Sequence, residues 1–196
     1  MHLLRQISFS LRLTRSHGIA RRYFITNGFD GALTMLGLTT GFYAAGGVAP
    51  SVAVTACLGT AIALAVSGVS SAYISETAER KKELLELEHA MLAELEETAH
   101  GDAARIVPIM IAMVNGIAPF SIALGIMLPL WLAQHGVGLP FGPFETSIFT
   151  AFLIIFGLGV YLGRISGTFW LWAAVRTVLI ALVVVSLIMA LELNGV

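Results

Sequence analysis

The chain has 196 residues, of which 57% are hydrophobic and only 12% charged; its mean hydropathy is +0.87 and its net charge −1. Soluble domains carry about 25% charged residues, so this composition cannot coat a globule in water and points to an integral membrane protein. At about 20 residues per span the chain holds five spans and one modest polar element, which excludes a large extramembrane enzyme domain; the lone Cys57 excludes a disulfide framework.

Residues 1–22 carry Arg5, Arg12, Arg15, Arg21 and Arg22 scattered among apolar residues. That spacing leaves no unbroken apolar core of a secretory signal. It predicts a basic amphipathic arm on an anionic lipid surface, the alternative being a partly disordered basic arm. Five apolar stretches follow, at 24–47, 51–75, 106–133, 146–163 and 169–191. The turn at 45–50 and the Gly/Pro-rich linker at 134–144 contain no Lys or Arg, whereas Arg80, Lys81, Lys82, Arg105 and Arg164 flank the other two linkers. The positive-inside rule then predicts a cytoplasmic N-terminus and an exterior C-terminus. Arg176 lies inside the fifth stretch, where it either snorkels to the interface or pairs with a carboxylate. The Gly-x-x-x-Gly spacings at Gly37/Gly41, Gly159/Gly163 and Gly163/Gly167 allow close helix approach and only weakly indicate a dimer seam.

Between spans two and three the composition changes sharply. Nine of the twelve acidic residues fall between Glu76 and Asp102. The segment 76–104 is rich in strong helix formers and predicts a cytoplasmic helix that continues span two and ends near Gly101. At about 100° per residue, Glu76, Glu79, Glu83, Glu86, Glu94 and Glu97 share a stripe about 80° wide, bordered by His89 and His100. Like charges at this spacing repel. A multivalent cation would offset the repulsion, and carboxylates beside imidazoles suit Fe2+, Mn2+ or Zn2+. The Glu-x-x-His pairs Glu86/His89 and Glu97/His100 place both ligand types one turn apart, as in di-iron bundles. One helix cannot wrap a metal, so a partner helix from a second subunit would have to face the stripe. The plainer reading is a solvated acidic face.

Inside the membrane, Asp30 is the ionisable group that marks a functional candidate, with an interfacial helix cap as its plainer role. Span two ends in a small polar run containing Ser71 and Ser75, and span three holds Asn115 between Pro108 and Pro119. A buried Asn in a Pro-interrupted helix suits a transport path. No nucleophile triad, phosphate loop or nucleic-acid-binding pattern stands out.

Several of these residues resemble the vacuolar iron transporter family: Asp30-Gly31 in span one, the run Tyr73-Ile-Ser-Glu-Thr-Ala-Glu79, the Glu-rich helix and the Pro-containing span three. The resemblance covers roughly residues 24–192. It implies an all-α, five-span homodimer without a fixed cofactor. Such a protein moves Fe2+ or Mn2+ out of the cytosol, by proton antiport, along the dimer interface. It also implies a pathway through Asp30, and cytoplasmic metal ligands among Glu79, Glu83, Glu86, Glu94 and Glu97. Family members carry a Met and a Glu before the span-two Tyr, where this chain reads Ser67-Gly-Val-Ser-Ser-Ala72; Glu76 would stand in as the carboxylate. The short acidic element suggests a prokaryotic plasma membrane. The expected organisation is an arm at 1–22, spans one and two at 23–75, the acidic helix at 76–104 and spans three to five at 105–196. The alternatives are a non-transporting metal sensor or scaffold, and a ferroxidase built on the Glu-x-x-His pairs. The expected partners are metal ions, lipid and a second copy, not nucleic acid.

Overall fold

A computed structural model of the chain describes residues 16–193. Among the described residues there are five helices and no strand: α1 (Ser16–Ala45), α2 (Pro50–Met91), α3 (Ala99–Gln134), α4 (Pro143–Ser166) and α5 (Trp170–Leu193). The basic arm lies outside the described residues up to residue 15, and 16–22 form the first turns of α1. Helices α2 to α5 are long and apolar enough to cross a membrane. Helix α1, at 30 residues, is about 45 Å long, but Thr26, Asn27, Asp30, Thr34, Thr39 and Thr40 make it less apolar. Four of the described helices are therefore apolar enough to span, where five spans were expected. Burial explains what α1 tolerates: Ala32, Met35, Leu36, Thr39 and Thr40 are all buried, so this face meets protein. Thr39 donates its hydroxyl to the Met35 carbonyl at 2.8 Å, a bond within its own helix.

The chain divides into two compact units. One contains the described residues up to Phe24 and Ala65–Ala118; its small core is Ala103, Val107 and Ile111, with Tyr23 packed against them. The other contains Ile25–Leu64 and the chain from Pro119 onward. Its larger core joins Met35 and Leu36 to Cys57, Ile126, Leu130 and Ile155. Within this unit α4 packs closely on α5, and the sequence shows why. A Cβ at Gly159 would lie 2.7 Å from Ala174 Cα, and one at Gly163 would lie 2.7 Å from Trp170 Cα. The Gly159/Gly163 pair thus serves a seam inside the chain. Thr177 locks it by donating to the Ile155 carbonyl at 3.2 Å.

The outer face of α5 is different. Val175, Leu179, Val183, Leu187 and Leu191 recur every four residues and are between 40 and 60% exposed. Water would not tolerate so continuous an apolar ridge; lipid or a partner helix would.

The polar element departs from expectation. Helix α2 ends at Met91, ten residues before Gly101. Leu92 takes a left-handed φ of 51°, and Ala93 N–H donates to the Glu88 carbonyl at 3.3 Å, the closure of a Schellman-type stop. The Glu88 carboxylate then accepts from Leu95 N–H at 2.8 Å, and Leu95 is buried. Thr98 starts the next helix as its N-cap: its hydroxyl accepts from His100 N–H at 3.3 Å, with Asp102 in the first turn. Gly101 stops nothing. It sits inside α3, where a Cβ would run into the Glu96 carbonyl.

Candidate functional site

The turn at 92–98 breaks the expected stripe. Glu76, Glu79, Glu83 and Glu86 share α2 with His89, but Glu94 and Glu97 lie in the turn and His100 opens α3. The six glutamates do not form one helical face, and Glu97/His100 is not a pair along one helix. Repulsion along the remaining row is offset from within the chain. Arg80 Nη1 donates to Glu83 Oε2 at 2.6 Å and Nη2 to Glu76 Oε2 at 3.4 Å, and Lys82 Nζ lies 3.9 Å from Glu86 Oε1.

Glu76 and Arg80 are each 8% exposed. The Tyr23 hydroxyl donates to Glu76 Oε1 at 3.2 Å, so this carboxylate is held by one cation and one phenol. Tyr23 stands one residue ahead of the apolar stretch 24–47, on its polar side. Burial, and then the Glu76 carboxylate, push its phenol above the ordinary 10.0. Arg80 Nε is buried and finds no partner among the described residues. Nothing in the sequence pattern pointed to Tyr23. Asn115, expected on the pathway, is 4% exposed and donates Nδ2 to the Gly68 carbonyl at 2.7 Å, tying α3 to α2. Ser71 and Ser75 are exposed, and Ser71 bonds back to Gly68 at 3.4 Å.

The other expected metal ligands, Glu79, Glu83, Glu86, His89, Glu94, Glu97 and His100, are all exposed. His89, Glu88 and Glu94 line one surface depression, and Arg80, Glu83 and His100 another. Among the described residues no three His, Cys, Asp or Glu side chains gather closely enough to hold a metal ion.

Asp30 lies in the other unit. It is exposed on the wall of a cavity of about 830 Å3 formed by α1, α4 and α5. Its neighbour Gly31 abuts α3, where a Cβ would lie 2.8 Å from Pro119 Cα. That contact gives the Asp-Gly pair a packing reason. Arg176 lines the same cavity and is also exposed. Among the described residues it forms no ion pair, so the expected alternative of pairing with a carboxylate is not realised.

No protein-family model, no curated protein and no solved structure matches this chain.

Proposed function

We propose that the chain is one subunit of a homodimeric membrane transporter that exports a divalent transition metal, Fe2+ or Mn2+, from the cytosol in exchange for protons. In this reading α1 is a fifth span, the N-terminus is cytoplasmic, the C-terminus is exterior and the membrane is a prokaryotic plasma membrane. The observation that carries it is the exposed row Glu79, Glu83 and Glu86 on the polar end of α2, followed by His89. Carboxylates and an imidazole on one helix attract such cations. One chain gathers no three ligands among its described residues; a second copy, facing the row with its own, would complete a site. Asp30 is the carboxylate an ion would then meet within the apolar layer, and Ser71 and Ser75 offer exposed hydroxyls. The resemblance to vacuolar iron transporters in Asp30-Gly31 and Tyr73–Glu79 supports the same reading.

Purified chain in proteoliposomes tests it. Mn2+ flux driven by an imposed pH gradient is expected, with loss of flux in Asp30→Ala. No flux above that of empty vesicles would refute transport. A second reading, a metal sensor or scaffold, is favoured by one finding: Glu76 and Asn115 are occupied by partners inside the chain. It predicts Mn2+ binding, weakened by Glu83→Gln/Glu86→Gln, with no flux.

A further inference from the structure

Within the apolar stretches 24–47, 51–75, 106–133, 146–163 and 169–191 there are only two charged residues, Asp30 and Arg176. They are opposite in sign, and both line the cavity between α1, α4 and α5. A charge in the apolar layer is expensive and normally finds a partner. Among the described residues these two form no ion pair within 4.0 Å, with each other or with another side chain. The nearby hydroxyls are engaged elsewhere. Ser166 bonds the Leu162 carbonyl at 3.0 Å and Thr168 at 2.8 Å, and Thr177 bonds the Ile155 carbonyl. What remains open is an apolar-walled cavity presenting one carboxylate and one guanidinium. Its volume, about 830 Å3, falls in the range of about 300–1,000 Å3 common for ligand sites.

The aromatic residues set its height. Phe169, Trp170 and Trp172 are exposed at the start of α5, and such rings collect at the headgroup level of a bilayer. Arg176 lies one turn, about 6 Å, past Trp172. Its long stem can carry the guanidinium back to the level of lipid phosphates.

We propose that this cavity binds one phospholipid whose headgroup carries both a phosphate and a primary amine. The Arg176 fork donates to the phosphodiester oxygens, the lipid ammonium donates to the Asp30 carboxylate, and the acyl chains run along Phe29, Leu158, Leu162 and Ile180. The charges select this occupant. Phosphatidylglycerol, whose single charge is the phosphate, would leave Asp30 without a cation, and an uncharged amphiphile would leave both side chains without a counter-ion. The inference is independent of transport: lipid binding is read with no metal present, so either reading can fail alone.

The test uses the full chain, delipidated in detergent. It is titrated separately with phosphatidylethanolamine and phosphatidylglycerol of identical acyl chains and read by native mass spectrometry. Phosphatidylethanolamine is expected to bind about ten-fold more tightly, the factor one charge-assisted hydrogen bond supplies. Arg176→Gln weakens both lipids; Asp30→Asn weakens phosphatidylethanolamine alone and erases the preference. Soluble phosphoethanolamine, which lacks the chains, does not compete. Equal retention of the two lipids by the wild-type chain, as in an annular lipid shell, overturns the proposal without recourse to any variant. So does a preference that survives Asp30→Asn, or displacement by soluble phosphoethanolamine.

Discussion

Replacing Arg80 with methionine removes the cation between Glu76 and Glu83 and keeps much of the apolar stem. The Glu83 side chain is 52% exposed, so its share of the pairing is worth less than about 1 kcal/mol. Glu76 is 8% exposed, and breaking a buried pair by removing one partner costs about 3–5 kcal/mol. Removing the unpartnered Arg80 Nε works the other way and returns about 1–3 kcal/mol. These ranges combine to a loss of about 0–5 kcal/mol, centred on about 2–3, and at about 2–4 °C per kcal/mol for a chain of this length that centre lowers the melting temperature by about 4–12 °C. Thermal melting in mild detergent, followed by far-ultraviolet circular dichroism, measures it for Arg80→Met, Glu76→Gln and the double variant. The double variant should recover most of the loss, because a neutral amide no longer needs a cation and still accepts from the Tyr23 hydroxyl. If its loss equals the sum of the two single losses, the two residues are not coupled and the reasoning is wrong. Metal flux through the double variant then separates support from conduction. A Glu76 that only anchors α2 leaves flux measurable; a Glu76 on the path does not.

Gly159→Leu drives side-chain atoms into Ala174 and should cost about 1–3 kcal/mol, seen as a lower melting temperature. Thr98→Ala removes the α3 N-cap and should cost about 1 kcal/mol, with faster amide exchange at His100 and little change in the α4–α5 seam. Leu92→Gly relieves the left-handed backbone and should stabilise the chain by about 1 kcal/mol, again read by melting. The Tyr23 phenol is raised above 10.0 in the folded state by burial and Glu76, so the folded protein holds that proton more tightly. Its contribution is complete below pH 10 and is lost as pH climbs through the raised value. Tyr23→Phe should therefore lose about 1 kcal/mol at neutral pH and decline less steeply in alkali.

Helix positions were legible because apolar runs of span length leave little choice of structure; α2 to α5 follow them closely. The 92–98 turn was not, because its residues are good helix formers. Leu92 gives no sign that it adopts a left-handed φ, and burial of Leu95 together with capping by Glu88 and Thr98 overrides local propensity. Its one visible signal was Thr98 four residues before Asp102, a cap followed by a first-turn acid. The Glu-rich stripe failed with it, since a projection onto one helix holds only while the helix lasts. In the sequence Arg80 counts only as one of the positive charges flanking a linker, whereas its guanidinium bonds both Glu76 and Glu83, a contact that spacing alone only permits. Asp30 and Arg176 were each legible as charges in apolar runs. That they share a cavity depends on α1 and α5 meeting α4, which no local pattern encodes.

The chain treats its charges in two ways, and the contrast carries the functional argument. Where a carboxylate is buried near the polar end of α2, it is given a cation and a phenol: Glu76 has both Arg80 and Tyr23. That is how a charge with a structural role is held. Where charges enter the apolar stretches, none of this is supplied. Asp30 and Arg176 line one cavity, yet among the described residues each lacks a counter-ion. A carboxylate and a guanidinium kept apart in one apolar cavity are a cost to the folded chain unless something else pairs with them. A lipid with opposite charges in its headgroup satisfies both at once. A metal ion would pair with Asp30 and leave Arg176 without a counter-ion. If Asp30 also serves transport, metal and lipid ammonium must compete for it, and Mn2+ should lower phosphatidylethanolamine retention in the wild type but not in Asp30→Asn.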